Sequence, residues 1–181
     1  MTDDRQSPEQ LLRAYFHAKD ENRPHRMRGV FAADASLEMT VRSGTIAFPP
    51  ATTGVDAITD VLVRNFGRTY ENVYSFYLQR PAADLRAFSC DWLVGMSEKS
   101  GGAVRVGCGR YDWTFRQSPP FLVAGLVVTI ESMPVLPPDA LGPVMDWLTA
   151  LPYPWCHAAR AVEAIPAIPA LKPVVEYLGQ R

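Results

Sequence analysis

Residues 70–131 read YENVYSFYLQRPAADLRAFSCDWLVGMSEKSGGAVRVGCGRYDWTFRQSPPFLVAGLVVTIE. This stretch decides the fold. Four runs rich in β-branched and aromatic residues, approximately 70–79, 85–96, 103–116 and 121–131, are joined by RPAAD, SEKSGG and QSPP. Connectors this short and this rich in turn residues predict strands that run antiparallel as successive hairpins.

Upstream the pattern is helical. Ser7, Pro8 and Gln10 make a helix start, with a capping hydroxyl, proline at the first position and a capping-box partner. Leu11, Leu12, Tyr15 and Phe16 then form one apolar stripe, while His17 sits on the solvent side. The chain breaks at Pro24, restarts as a short helix through Phe31, and enters SLEMTV (36–41), where Leu37, Met39 and Val41 alternate with Glu38 and Thr40. A Gly/Pro-rich loop, SGTIAFPPATTG (43–54), leads to a second helix, capped by Thr53 with Asp56 as its capping-box acid. That helix carries Ile58, Val61, Leu62 and Phe66 on one face. Helices first and a meander after predict an α+β domain with a curved antiparallel sheet wrapped around N-terminal helices.

Composition limits what such a domain can do. The chain has 181 residues, 18 basic against 19 acidic, so phosphate backbones and anionic membrane surfaces lack a cationic counterpart. No apolar run approaches the length of a membrane span, and MTDDRQSPEQ is not laid out as a signal peptide, so a cytoplasmic protein is expected. Cys90, Cys108 and Cys156 are odd in number and far apart, which suggests buried thiols and neither a disulfide framework nor a zinc site. No cofactor motif and no metal-ligand set is present. Proline is in excess: nine of the sixteen fall from Pro134 onward. There charge is sparse and three short helices are predicted, in PDALGPVMDWLTAL, PWCHAARAVEAI and ALKPVVEYLG. The chain therefore divides into a domain over 1–133 and a Pro-rich, apolar helical extension over 134–181, docked on the domain or on a partner subunit.

SPEQLLRAYFHA, GVFAADASLEM, TGVDAITDVLVRNF and GRYDWTF, in this order, resemble the NTF2-like superfamily, in particular its SnoaL-like branch with ketosteroid isomerase and scytalone dehydratase. The resemblance covers about residues 8–133. It implies a cone-like sheet and a pocket between its concave face and the helices. The fold hosts isomerases, dehydratases, cyclases, assembly subunits and binding proteins, so it does not set the reaction.

Strand parity proposes the pocket lining: Met39, then Tyr74 and Phe76, Cys90 and Trp92, and Trp113. By resemblance, Tyr15 matches the tyrosine that polarises a carbonyl in ketosteroid isomerases, and either Tyr111 or Asp112 matches their late-strand acid. Tyr111 is preferred, because an inward Asp112 turns Trp113 and Phe115 outward unless a bulge intervenes. Met39 stands where those enzymes carry a proton-shuttling acid, so the acid–base set is incomplete. Histidines His17, His25 and His157 lie off the strands, which removes a dehydratase-like histidine pair. Each of these aromatic residues also reads as ordinary core, and Glu38 and Asp91 as solvated strand charges. The resulting expectation is a protein binding a small, largely apolar or aromatic molecule without a cofactor. The alternatives are a cofactor-free isomerase, dehydratase or cyclase acting on a carbonyl-bearing polyketide- or steroid-like substrate, and an assembly subunit with a filled pocket. The last strand is apolar on both faces, which suggests a homodimer through the outer sheet face or cover by the extension.

Overall fold

The structure is a computed structural model and describes residues 6–181; the polar opening MTDDR lies outside the described residues. Helix α1 spans Pro8–Asp20 and starts with the full capping box, Ser7 Oγ accepting from Gln10 N and the Gln10 side chain accepting from Ser7 N. Its buried stripe is Leu11, Leu12, Tyr15 and Phe16, and it continues to Lys19. A 3-10 segment, Pro24–Gly29, follows, and strand β1 then runs over Phe31–Val41, so the strand begins at the residue where the short helix was expected to end. Strand β2 is Ala51–Thr53. The second helix is α2, Val55–Thr59, widened by a π-helical segment, Asp60–Asn65, and completed by α3, Phe66–Thr69. Its N-cap is Gly54, with φ 91°, and no side chain caps it. Thr53 is instead paired into β2, which takes it out of reach of the capping role.

Strands β3 (Tyr70–Tyr77), β4 (Ala87–Glu98), β5 (Val104–Phe115) and β6 (Val123–Ser132) form the antiparallel meander, within a few residues of the expected bounds. The sheet order is β2-β1-β6-β5-β4-β3, with the two-residue β7 (Val135–Leu136) beside β5. Strand β1 pairs in parallel with β6, a long-range pairing that makes the sheet mixed. The result is an α+β cone, with the helices of the first 70 residues against its concave face. Leu37, Met39, Tyr77, Trp92, Tyr111, Trp113, Leu126 and Val128 bury that concave side.

The convex side carries a second core. Helices α4 (Leu141–Thr149), α5 (Ala158–Glu163) and α6 (Lys172–Gly179) lay Val144, Leu148, Ala161, Val174 and Leu178 against Phe76, Leu93, Val104, Val106 and Cys108. The residues after Pro134 thus cover the outer face over β3–β5. Trp147 Nε1 donates to Ala161 O at 2.9 Å, and Tyr177 OH donates to Asp91 Oδ1 at 2.6 Å. Asp91, expected to be solvated, is therefore the polar seat of α6. Residues 154–156 also pair with the last residue of β3: Tyr77 N donates to Pro154 O and Cys156 N to Tyr77 O.

This arrangement corrects one parity expectation. Tyr74, Phe76 and Leu78 pack with the convex core, whereas Ser75 and Tyr77 face inward. The β3–β4 register shifts between Glu71 and Tyr74, next to Asn72 at φ 52°, and both faces of β3 are covered. Apolarity there does not mark the concave side. With α4–α6 in place, only the β6–β1 end of the outer face is left to a second copy of the chain. There Glu38 and Thr40 are exposed and Val127 and Thr129 half-buried. Among the described residues, no helix is long and apolar enough to cross a membrane.

Candidate functional site

A chamber of about 50 Å³ lies inside the cone, between α1, the second helix and strands β1, β4, β5 and β6. That is room for a few water molecules or a small organic group. Its walls are almost wholly apolar. Met39, Trp92, Val128 and Ile130 come from the sheet, and Leu62 and Phe66 from the π-helical segment and its continuation. π-Helical turns inside α-helices occur frequently at functional sites, because the extra residue displaces the helix face locally. Here the widened turn carries Leu62 to the chamber wall.

Tyr15 and Tyr111 meet at this chamber. Their rings stand edge to face with centroids 6.4 Å apart. Burial pushes both phenols well above their ordinary pKa, reinforced for each by the charge of Asp20. Both are therefore neutral hydrogen-bonding groups at physiological pH. Trp113 packs edge-on to Tyr15 at 5.3 Å, and Trp92 stacks on Tyr111 at 5.6 Å, so each ring is held by another. Beyond them Phe16 and Tyr77 stack face to face at 3.8 Å, and Tyr77 OH donates to Leu12 O at 2.8 Å.

Lys19, one helical turn beyond Tyr15, also lines the chamber. It is only 7% exposed. Its Nζ donates to Asp20 Oδ1 at 2.6 Å and to Ser75 Oγ at 2.9 Å, and stands 4.8 Å from the centroid of Phe66. Asp20 in turn accepts from Ser75 N and Ser75 Oγ. The pair is locked to β3 and is neutral as a unit. Lys19 was absent from the residues singled out by sequence. The signal was its i+4 spacing from Tyr15, which puts a charged side chain on the buried stripe.

The structure brings together Tyr15, Tyr111, Met39 and Trp92 of the nine residues proposed from sequence. Cys90 and Trp113 belong to the same concave core without reaching the chamber, and Tyr74 and Phe76 lie on the convex side. Asp112 is outward: its side chain is 40% exposed, accepts from Ser89 Oγ at 2.5 Å and pairs with Arg110 at 3.1 Å. The register from Arg110 to Thr114 against β6 is unbroken, so no bulge turns it inward. The thiols of Cys90 and Cys108 are pushed up to about 12, chiefly by burial, which leaves them protonated and unreactive. Among the described residues, no group of three His, Cys, Asp or Glu side chains is placed to hold a metal.

Ile46 and Phe48, from the aperiodic loop between β1 and β2, close the chamber against Phe66. On their other side lies a surface groove of about 240 Å³, shared with Pro49, Val61 and Tyr70. The loop is anchored at Thr45, whose Oγ1 donates to Met133 O at 2.6 Å and whose carbonyl accepts from Arg105. Past that anchor Ile46, Phe48 and Phe66 line both chamber and groove.

No family model and no curated protein matches the chain. Solved structures do. An NTF2-like superfamily protein from Salmonella enterica aligns with TM-score 0.57 at 13% identity, over 68% of this chain and 88% of that one. A ketosteroid isomerase-like protein from Erwinia carotovora aligns with TM-score 0.53 at 13% identity, over 73% and 99%. A hexachlorocyclohexane dehydrochlorinase, LinA type 2, aligns with TM-score 0.53 at 14% identity, over 70% and 84%. At such identities the likeness is one of fold, and the fold is NTF2-like.

Proposed function

We propose that this NTF2-like chain works as a SnoaL-like binding protein, taking a small, largely apolar molecule into the chamber inside the cone. The observation that carries the reading is an apolar chamber that the protein's own side chains leave unfilled, with the packed tyrosine pair Tyr15 and Tyr111 in its wall. Small-molecule sites are concave and lined predominantly by hydrophobic and aromatic side chains, as this chamber is. The groove beyond Ile46 and Phe48 supplies the volume that the inner chamber lacks, so a ligand larger than a few atoms displaces those two side chains outward.

An acid–base isomerase is the weaker reading. Met39 cannot carry a proton and Asp112 points out of the cone, which leaves neutral phenols but no free base at the chamber. A filled assembly subunit is the second reading, favoured by the small size of the inner chamber, about 50 Å³ against the roughly 300 Å³ at which ligand pockets usually start. The fold is shared with a hexachlorocyclohexane dehydrochlorinase, and hexachlorocyclohexane is itself small and apolar, which is consistent with such an occupant.

Thermal-shift screening with small aromatic compounds tests the reading. A ligand at a hundred times its dissociation constant stabilises by about 2.7 kcal/mol, and Tyr15→Phe should reduce that gain for any compound bearing a polar group. Absence of stabilisation by every compound on the wild-type chain contradicts it.

A further inference from the structure

A larger cavity lies across the sheet from the chamber. It is a cleft on the outer face, of about 520 Å³, inside the roughly 300–1,000 Å³ usual for small-molecule sites. Leu78, Asp91 and Arg110 form its sheet side, and His157, Ala158 and Arg181 its other side. Those last three belong to the C-terminal segment, outside the stretch that resembles the NTF2-like fold, so the cleft is a feature of this chain and not of the cone. Two guanidiniums line it, and both meet an acid at the Nε edge. Arg110 Nε donates to Asp112 Oδ1 at 3.1 Å, and Arg181 Nε stands 3.4 Å from Asp91 Oδ2. Asp91 also accepts from Tyr177 OH at 2.6 Å, and the Arg181 guanidinium lies over the Tyr177 ring at 4.7 Å, which holds it in place. The acids are thus satisfied, whereas the terminal NH2 groups of Arg110 have no hydrogen-bond partner among the described residues. What the cleft has left to offer is donors.

We propose that this cleft binds a small organic carboxylate. Its two oxygens accept from the terminal NH2 groups of Arg110, whose planar fork matches a carboxylate. Arg181 supplies a second positive charge from the facing wall, and the buried side chains of Leu78 and Ala158 receive the apolar end of the ligand. Both arginines are about half exposed, so an anion keeps part of its hydration on entering and meets little of the penalty that the apolar chamber would impose. A tetrahedral phosphate presents the same kind of acceptor and is the competing anion. The cleft stands apart from the chamber, and neither reading depends on the other.

Benzoate, benzamide and inorganic phosphate separate the possibilities when each is titrated into the full chain at low ionic strength, where exposed charges are least screened, and followed by NMR. Benzoate should shift the backbone amides of Arg110, Ala158 and Ala159 saturably, with one dissociation constant, and leave the Met39 and Met133 methyl resonances of the chamber in place. Benzamide has the same shape without the charge and should bind about tenfold more weakly, as expected for the loss of hydrogen bonding to a charged partner. Arg110→Gln, which keeps a donor for Asp112, should weaken benzoate by a similar factor and leave benzamide unchanged. Arg181→Gln, on the facing wall, should act in the same direction. Tightest binding of phosphate overturns the carboxylate assignment. Equal binding of benzoate and benzamide, benzoate binding indifferent to both arginine variants, or no saturable shift at the cleft overturns the site itself. Each of these outcomes leaves the reading of the chamber untouched.

Discussion

Gly95 of β4 lies directly under Leu148 of α4: a Cβ on Gly95 would stand 2.1 Å from Leu148 Cδ1. The outer sheet face and the C-terminal segment are thus closely fitted, and a larger residue at 95 must turn the Leu148 side chain aside or push α4 away. Gly95→Val is expected to destabilise the fold by about 1–3 kcal/mol through overpacking. Urea unfolding measures it, and unchanged stability would mean that α4 does not sit on β4.

Removal of residues 138–181 uncovers Phe76, Leu93, Val104, Val106 and Cys108. A contiguous apolar surface of that kind is expected to make the shortened chain aggregate or self-associate. Light scattering on the soluble fraction checks this, and a soluble monomer of unchanged stability would show 1–133 to be an independent domain with a dispensable extension.

Tyr77→Phe removes the bond to Leu12 O, which ties β3 to α1 across the stacked Phe16–Tyr77 pair. The expected loss is about 1 kcal/mol in denaturant unfolding. Tyr74→Phe, on the other face of the same strand, removes no hydrogen bond to a described residue and should cost less. Equal losses would contradict the inward orientation of Tyr77.

Alkali should unfold the protein from pH 8.5 upward. In the unfolded chain the thiols of Cys90 and Cys108 ionise near 8.5, whereas in the folded chain burial pushes them up to about 12. Between those values the folded state holds protons that the unfolded state has lost, so stability falls as pH rises, by about 1.4 kcal/mol per pH unit for each thiol. Below pH 8.5 these groups contribute no slope. Tyr15, Tyr77 and Tyr111 act in the same direction above pH 10. Stability measured from pH 7 to 11 checks the sign, and a flat profile contradicts the burial of the thiols.

Much of the fold was legible from local pattern. Turn-rich connectors set four antiparallel strands, and Ser7 with Gln10 set the start of α1, because hairpins and caps are decided by residues close in sequence. The parallel pairing of β1 with β6 was not legible, since nothing near SLEMTV encodes a partner some ninety residues away. The inward face of β3 misled because both its faces are covered, so Phe76 and Tyr77 look alike in sequence although they serve opposite cores. At the site, Met39 and Trp92 followed from strand parity, Tyr15 from the family resemblance, and Tyr111 from the resemblance with parity deciding against Asp112. Ile46 and Phe48 sit in an aperiodic loop that parity cannot read, and Lys19 was passed over because a charged side chain on a buried stripe runs against the usual placement of lysine.

The chamber's three methionines, Met39, Met96 and Met133, provide the most direct test of small-molecule binding, with Met27 and Met145 outside it as internal controls. Titration of 13C-methyl-methionine-labelled protein with acetophenone should shift the first three methyl resonances together, saturably and with one dissociation constant, and leave those of Met27 and Met145 in place. Shifts confined to Met27 or Met145, or no saturable shift at the chamber methionines, would contradict the account.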